Sequence, residues 1–479
     1  MTSAPALRDL ARRLVGRPAD WRLGRPALRP PRPGLHWLGP LAVVASVAAS
    51  WFAFRGAGGE GGGVAFGLFI GAASIVLMAW SFLLAVRIRL LEPLFGGLDR
   101  MYRVHRWAGA LAIGAMFLHT RAEPEIQGGV PGASEGVADM ATSLAGNAEI
   151  ALYALVGLSV IRWIPYRWWR WTHKLLGIPF ALASWHFFTA EKPYDNASGW
   201  GLYFGAFMVG GLIAYLARVV GRDMLARGRR YRVAAAEVSG STLELHLEPC
   251  GRPLRFTAGQ FAVLKLRRPG LREPHVFTIA SAPEDGSLRF FIRRLGDWTA
   301  RLHDAGDLVG ADVRVEGPYG RFAPTGAGSP TVWIAGGVGV TPFLAAIRGL
   351  PVAPEGERPV LYHCVSRRED VMARDVLERA EREGRLELHV LASRSGRRFG
   401  SDTLRERFGR QGLRGAHVAV CGPSPLVAAA ERAARRLGAP HVEREDFDFR
   451  QGLGPDLPGL EPWPRPGPRA ATARGPASG

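Results

Sequence analysis

The chain has 479 residues, of which 61 are Lys or Arg and 42 are Asp or Glu, so its formal net charge is +19. Apolar residues make up 47 % of it, which excludes a disordered or collagen-like chain. Its three cysteines are too few for the four thiolates of an iron–sulfur cluster, and they exclude a disulfide framework. Uncharged runs dominate up to about Val220, and charged and apolar residues alternate beyond it. This change indicates a membrane domain joined to soluble domains.

Six segments of the first half have the character of membrane spans. The three that contain no Asp, Glu, Lys or Arg are 35–54, 61–86 and 196–217. Each reaches the roughly 20 residues that cross a bilayer. The three that carry charges near their ends are 106–120, 149–163 and 171–188. For these three a helix buried in a soluble protein is the alternative.

The distribution of basic residues predicts the orientation of the spans. The arm 1–34 holds eight arginines, the second and fourth connections are also basic, and the other connections carry acidic residues. This alternation predicts six spans in a bacterial-type cell membrane, with both termini in the cytoplasm. An arm rich in Arg and Pro before a full-length span argues against a cleavable signal peptide. Because the charge follows topology, it gives no support to nucleic-acid binding.

Four histidines fall within two of the charged spans or, for His105, directly before one, and ionisable groups at membrane depth are expensive and usually functional. His105 and His119 are 14 residues apart, a rise of about 21 Å and within about 40° of four whole turns, so they share one helix face. His173 and His186 are 13 residues apart, about 19.5 Å, but lie about 140° short of whole turns on a straight helix. A kink at Pro179 would supply the missing rotation.

Two such helices side by side offer two pairs of imidazoles, one near each membrane face. We predict that His105 pairs with His173 on the cytoplasmic side and His119 with His186 outside, each pair holding one six-coordinate b-type haem. The alternative is four unrelated polar helix contacts. A zinc site is disfavoured because the pairs are too far apart to converge on one metal.

From Tyr231 onwards, short alternating strands predict a small antiparallel barrel. The predicted strands are 241–247, 260–266, 287–293 and 312–315. Three patches stand out: His275–Thr278 in a strand, 296–299 at the start of a helix, and 317–320 in a turn. Ordinary strand packing is the alternative explanation for the Phe-Thr pair.

From Thr331 onwards, strands and helices alternate, which predicts a doubly wound parallel sheet with its ligands at the carboxyl ends of the strands. The predicted strands are 331–335, 360–365, 386–391, 417–421 and 441–449, and the helices are 342–350, 371–384, 402–408 and 426–437. The first strand leads into a glycine-rich loop that suits a pyrophosphate, with Thr341 as the expected N-cap and Pro342 at the first helical position. The Pro/Gly-rich segment 451–479 is predicted to be a disordered tail.

The paired histidines followed by these patches in this order resemble the ferric reductase/NADPH oxidase superfamily, whose soluble part is similar to ferredoxin–NADP reductase. The resemblance covers about residues 35 to 450. It implies a membrane α-helical bundle of six spans (35–220), an antiparallel β-barrel FAD domain (231–330) and a doubly wound α/β NADP-binding domain (331–450).

The resemblance also implies roles for individual residues. His275, Phe277 and Thr278 would hold FAD, with Phe277 against the isoalloxazine and Thr278 near its N5. Phe447, or else Phe449, would cover the flavin until nicotinamide displaces it; strand packing is the alternative for both. The flavin pyrophosphate would be cradled by Arg293, Gly296, Asp297, Trp298 and Thr299. The nicotinamide nucleotide would be bound by Gly336, Gly337, Gly339, Thr341 and Pro342, and by Cys421, Gly422 and Pro423. The family usually has proline where this chain has Val276.

Basic and hydroxyl residues at two strand ends favour NADPH over NADH, because a 2′-phosphate needs such partners. They are Ser366, Arg367 and Arg368 after the second parallel strand, and Ser393, Arg394 and Arg398 after the third. Solvated loop charges are the alternative in a chain this rich in arginine.

The resulting hypothesis is a transmembrane oxidoreductase that passes electrons from cytoplasmic NADPH through FAD and two b-type haems to ferric iron or oxygen across the membrane. One alternative keeps the flavin reductase but makes the membrane part a quinone site or an anchor for a protein partner, without haem. Another is a transporter gated by nucleotide binding, against which the spans show no acidic relay and no repeat of broken helices.

Overall fold

The computed structural model describes residues 35–57, 62–88, 90–122, 124, 126, 128–161, 164, 166–219, 228–324, 330–409 and 412–446. The predicted arm 1–34, the predicted tail 451–479, and Phe447 and Phe449 lie outside these residues.

Helices make up the described first half of the chain. They are α1 (Leu38–Phe54), α2 (Gly63–Ala85), α3 (Glu92–Phe95), α4 (Leu98–Ala122), α5 (Glu135–Val160), α6 (Tyr166–Lys174), α7 (Gly177–Thr189) and α8 (Gly199–Leu216). Four helical segments among the described residues are long and apolar enough to cross a membrane: Leu35–Phe54, Gly63–Ala85, Glu135–Val160 and Gly199–Val219. The helical bundle is therefore confirmed; four of its helical segments meet this criterion, and the prediction of six spans is not confirmed.

The other two predicted spans do not meet this criterion of length and apolar character, each for its own reason. Segment 106–120 lies inside α4, a 25-residue helix with Asp99 near its start and Arg121 near its end. Segment 171–188 is divided between α6 and α7 by a turn at residues 175 and 176. Pro179 lies in the first turn of α7, where a proline is tolerated, so a helix break and not a proline kink separates His173 from His186. The predicted span 149–163 is the end of the longer α5.

Helix α2 is the centre of the bundle, since most of its surface is buried and it packs on α1, α4 and α8. Helix α5 packs on α6 and α7. Hydroxyl and carbonyl groups bond α2 to the antiparallel α4 at intervals of seven residues: Ser81 Oγ donates to His105 O, and Ser74 Oγ donates to Ala112 O. These bonds fix the register of the two helices.

A curled antiparallel sheet follows the bundle. Its strands are β1 (Arg229–Ser239), β2 (Thr242–Pro249), β3 (Phe261–Leu266), β4 (His275–Thr278), β5 (Leu288–Arg293) and β6 (Asp312–Tyr319), in the order β4-β3-β6-β1-β2-β5. Its two edges meet where Ala280 N donates to Arg289 O, at 2.9 Å. The short helix α9 (Asp297–His303) lies between β5 and β6. The predicted turn at 317–320 is wrong, because β6 continues through Gly317 and Pro318 to Tyr319.

The last described unit is a five-stranded parallel sheet with helices between its strands, as predicted. It contains β7 (Thr331–Gly336), α10 (Thr341–Ile347), β8 (Val360–Val365), α11 (Arg374–Arg382), β9 (Glu387–Ala392), α12 (Ser401–Phe408), β10 (His417–Gly422), α13 (Ser424–Arg436) and β11 (His441–Asp446). In the strand order β11-β10-β7-β8-β9, the direction in which successive strands are added reverses between β7 and β10. A ligand is expected at such a switch point.

Candidate functional site

The two histidines of α4 are held by main-chain carbonyl groups of α2. His105 Nδ1 lies 2.9 Å from Ser81 O, and His119 Nδ1 lies 2.9 Å from Gly67 O. The two acceptors are 14 residues apart, as are the two histidines, because the antiparallel helices run in step. A carbonyl oxygen can only accept, so both Nδ1 atoms must carry the proton and both Nε2 atoms keep a free lone pair.

The other two histidines are held by hydroxyl groups of α5. His173 Nδ1 is 3.0 Å from Ser159 Oγ, and His186 Nδ1 is 3.2 Å from Thr142 Oγ1. Each hydroxyl already donates its hydrogen to a carbonyl one helical turn earlier, of Leu155 and of Ala138 respectively. Each must therefore accept from the imidazole. All four histidines are thus fixed in the tautomer that leaves the Nε2 lone pair available to a metal.

The two inner histidines lie close to each other. The ring centroids of His105 and His173 are 6.1 Å apart, with an angle of 73° between the planes. Two imidazoles this close could hold one metal ion between their Nε2 atoms, so the donor set would fit a haem iron bound by two histidines. His119 and His186 also interact electrostatically with each other.

Two further residues at these histidines were not found from the sequence. Trp169 stacks on His173 at 5.0 Å with an interplanar angle of 12°, and its Nε1 donates to Ser159 O at 2.9 Å. Gly71 leaves room for His119, because a Cβ there would lie 2.6 Å from the imidazole Nδ1. The sequence signal for Trp169 was its position, an aromatic residue four positions before His173. Gly71 could not be found in this way, because its role depends on which helices pack together.

The predicted flavin patch forms a group of aromatic rings. His275 stacks on Trp298 with centroids 4.1 Å apart, and Phe277 lies 5.9 Å from Trp298. Thr278 is only 6 % exposed, and its hydroxyl has no hydrogen-bond partner among the described residues. A buried hydroxyl without a partner is unfavourable, so its place suits a ligand with polar edge atoms, such as a flavin. The side chain of Trp298 lies in the core of the sheet, so its main chain is the part that could contact a ligand.

The residues predicted to hold the flavin pyrophosphate lie where the two sheets approach each other. Thr299 Oγ1 accepts from the main-chain N–H groups of Leu295 and Gly296, each at 2.9 Å, and so fixes the start of α9 beside Asp297. Arg293 ends β5 and extends towards Gly337, since a Cβ at that glycine would lie 3.7 Å from its Nη1. The structure thus brings the predicted pyrophosphate site beside the glycine-rich loop.

The glycine-rich loop and the Cys421–Pro423 segment pack directly on each other at the ends of β7 and β10. A Cβ at Gly339 would collide with Cys421 O, and one at Gly336 would lie 2.6 Å from Pro423. The structure corrects the predicted cap by one residue: Val340 is the N-cap, Thr341 is the first residue of α10, and Pro342 is the second. The Thr341 hydroxyl donates to Val338 O and supports the loop.

The strand ends predicted to read a 2′-phosphate are adjacent. Arg394 N donates to Ser366 O at 3.1 Å, which joins the loops after β8 and β9. All six residues of this group are exposed at the edge of the sheet: Ser366, Arg367, Arg368, Ser393, Arg394 and Arg398. The Arg367 main chain is also capped, because its N–H donates to Asp370 Oδ2 at 3.0 Å.

His363 is a residue of this site that sequence reasoning missed. It is fully buried on β8, and its Nε2 donates to Gly337 O at 3.1 Å, which fixes the carbonyl of the glycine-rich loop. Burial lowers the pKa of His363 to about 4, against a smaller upward effect of the Gly337 bond. The side chain is therefore neutral near pH 7. A histidine within an otherwise apolar strand was the available signal.

Three family models match successive parts of the chain. A ferric reductase-like transmembrane component matches residues 70–184, an FAD-binding domain matches 228–323, and an oxidoreductase NAD-binding domain matches 333–432. These are the helical bundle, the antiparallel sheet and the parallel sheet described above.

Curated relatives divide in the same way. Ferredoxin–NADP reductase B of Sorangium cellulosum is 32 % identical over 236 residues, covering 45 % of this chain and 96 % of that protein. NADPH oxidase 3 of Homo sapiens is 32 % identical over 118 residues, covering 22 % of this chain and 20 % of that protein. Ferric reduction oxidase 7 of Arabidopsis thaliana is 30 % identical over 166 residues, covering 31 % and 22 %. The match to the two oxidases spans about a fifth of their length.

The soluble half therefore has the complete length of a ferredoxin–NADP reductase relative, and the membrane half matches the ferric reductase model. The molecule is an integral membrane NAD(P)H oxidoreductase with FAD-binding and nucleotide-binding domains. The chain belongs to the ferric reductase/NADPH oxidase superfamily, in which a ferric reductase-like membrane domain is joined to a ferredoxin–NADP reductase-like module.

Proposed function

We propose that the protein carries electrons from cytoplasmic NADPH across the membrane to ferric iron or oxygen, using FAD and two b-type haems. When bound, FAD would accept a hydride and the haems would carry single electrons. His105 and His173 would hold the inner haem, and His119 and His186 the outer one.

The observation that supports this proposal is the orientation of all four histidines. Each Nδ1 is bonded to an acceptor on a neighbouring helix, so each Nε2 is available to a metal. Four independent polar contacts would not need the same nitrogen protonated in every ring. Histidines that ligate a metal do need this, since the outer hydrogen bond fixes the ring and raises its basicity.

In this proposal the bundle crosses the membrane six times, with α4 and the α6–α7 pair as the two spans that carry the ligands. Their charged and polar residues are tolerated because they face the bundle interior or the membrane surface. Both termini then lie in the cytoplasm of a bacterial-type cell, on the same side as the nucleotide site. Trp168 and Trp171 are more than half exposed on α6, as expected of a helix at the membrane surface.

In the soluble half, Phe277 and Thr278 would contact the flavin ring, and His275 would support it. Arg293 and residues 296–299 would bind its pyrophosphate. The nicotinamide nucleotide would lie over Gly336–Pro342 and Cys421–Pro423, with the 2′-phosphate near Arg367 and Arg394. Phe447 is the candidate cover for the flavin. These side chains bind and orient; hydride and electron transfer need no acid–base dyad from the protein.

The test is anaerobic reduction of the purified, detergent-solubilised protein by NADPH, followed through the flavin absorbance and the Soret band. We expect both signals to change. Ferric citrate or oxygen is then added, and the one that reoxidises the haem, as seen in the Soret band, is the acceptor. His119→Leu is expected to abolish acceptor reduction but leave flavin reduction intact. A reduced-minus-oxidised spectrum without b-type haem bands, or full activity in the variant, would refute the proposal.

A further inference from the structure

The antiparallel sheet presents one face of its β3–β4 edge to the helical bundle. In β3, Phe261 and Val263 belong to the hydrophobic cluster of the bundle, whereas Ala262 and Leu264 belong to the core of the sheet. Successive side chains of a strand point to opposite faces, so this division follows the strand pleat. The sheet therefore packs on the bundle through the first half of β3.

Strand β4 shows the same division. Val276 packs against the bundle cluster and Phe277 against the sheet core. Thr278 pairs with Phe261, and Val276 pairs with Val263. Thr278 therefore lies on the face that meets the bundle. Its buried hydroxyl without a partner is on the side of the sheet nearest the helices.

A buried hydrogen bond fixes this contact. Glu92 is the first residue of α3, 9 % exposed, and its Oε1 accepts from Gly320 N at 2.9 Å. Gly320 directly follows β6, the strand beside β3. A hydrogen bond to a carboxylate within a buried surface is stronger than one between neutral groups.

A second connection leads from the same surface to the inner histidine. Arg87 Nε donates to the Tyr102 hydroxyl at 2.7 Å, and the Tyr102 ring lies edge-on to His105, with centroids 6.2 Å apart. Burial disfavours the charge on Arg87, but Tyr102 and Glu316 of β6 outweigh it, so the pKa of Arg87 is raised. Arg87 also has a left-handed backbone, with φ of +60°. Such strain in a non-glycine residue is kept where the surroundings require it.

We propose that this surface is the electron-transfer contact between the flavin sheet and the bundle, and that Glu92 and Tyr102 are its positioning residues. Glu92 holds the sheet against the bundle through Gly320, and Tyr102 joins Arg87 at that surface to His105. The inference rests on the proposed function, since it concerns the step between the flavin and the inner histidine pair.

The test compares Glu92→Ala, Tyr102→Leu and Tyr102→Phe with the wild type in anaerobic stopped-flow reduction by NADPH. Asp139→Ala, which removes an exposed carboxylate from α5, is the control. We expect flavin reduction within about twofold of the wild type in every variant. In Glu92→Ala and Tyr102→Leu, haem reduction falls about tenfold or more, equivalent to about 1.4 kcal/mol. Tyr102→Phe, which loses only the hydroxyl, gives a smaller fall.

Dithionite-reduced spectra check that each variant keeps its haems. Haem reduction at the wild-type rate in both Glu92→Ala and Tyr102→Leu would overturn the inference, and so would an equal loss of flavin reduction. Absence of haem bands in the wild type would instead refute the proposed function. The two failures are therefore distinguishable.

Discussion

Ser159→Ala isolates the role of the hydroxyl that orients His173. The hydroxyl accepts from His173 Nδ1 at 3.0 Å and donates to Leu155 O at 2.7 Å. Its removal leaves the imidazole N–H without a partner in a half-buried position, at a cost of about 1–3 kcal/mol. Loss of such an outer partner lowers metal affinity by about 10–100-fold.

The assay is titration of the purified apoprotein with haem, with the midpoint potential measured on the loaded protein. We expect weaker binding and a changed potential for one of the two haems only. Ser184→Ala is the matched control, because its hydroxyl is buried and donates to Phe180 O one turn earlier on α7, without contact to a histidine. Ser159→Thr keeps a hydroxyl and should restore binding. Wild-type affinity and potential in Ser159→Ala would refute the reasoning.

Three further predictions follow from the same geometry. Gly71→Ala is expected to remove the outer haem, and with it about half of the haem absorbance, because the new Cβ would collide with His119. Gly146→Ala in α5, where a Cβ has open space, should keep the wild-type haem content. Equal haem content in the two variants would contradict this prediction. Arg394→Ala should weaken NADPH binding by about tenfold and leave NADH unchanged, as measured by KM for each nucleotide; equal losses for both would show that it does not bind the 2′-phosphate. Because the pKa of His363 is lowered to about 4 by burial, the unfolded chain takes up this proton first as the pH falls. The stability that neutral His363 contributes is therefore fully present above about pH 6.5 and is lost between about pH 6.5 and 4. Thermal unfolding of His363→Leu, measured against pH, should lack this part of the dependence.

The sequence predicted most of the soluble half because its strands are short and separated by turn residues. The strands of the parallel sheet and the flavin strand at His275–Thr278 lie where they were expected. The prediction of a turn at 317–320 was wrong because Gly-Pro usually signals a turn, whereas here these residues continue β6, which lies between β3 and β1. The strand that was not predicted is β1, whose 11 residues include Arg, Glu and Ser at exposed positions.

In the membrane half, spacing predicted that His105 and His173 pair, which the 6.1 Å contact supports. Spacing could not give the acceptors of the four histidine Nδ1 atoms, since these acceptors lie on other helices and two of them are main-chain atoms. Leu175 and Leu176 are good helix formers, so the sequence predicted a kink at Pro179 and not the observed break at residues 175 and 176. Pro179 has no N–H to donate to Leu175 O, which is a physical reason for the break to lie there.

The two histidines of α4 donate hydrogen bonds to main-chain carbonyl groups of α2, and a backbone carbonyl is present whatever the side chain. Substitutions along α2 therefore leave these acceptors in place, provided that the helix stays straight and keeps its register on α4. Two kinds of α2 residue limit such substitutions: small ones such as Gly71, where bulk would meet His119, and Ser74 and Ser81, whose hydroxyl groups bond to α4. A sequence comparison that looks only for retained polar residues would miss the backbone groups that orient two of the four histidines.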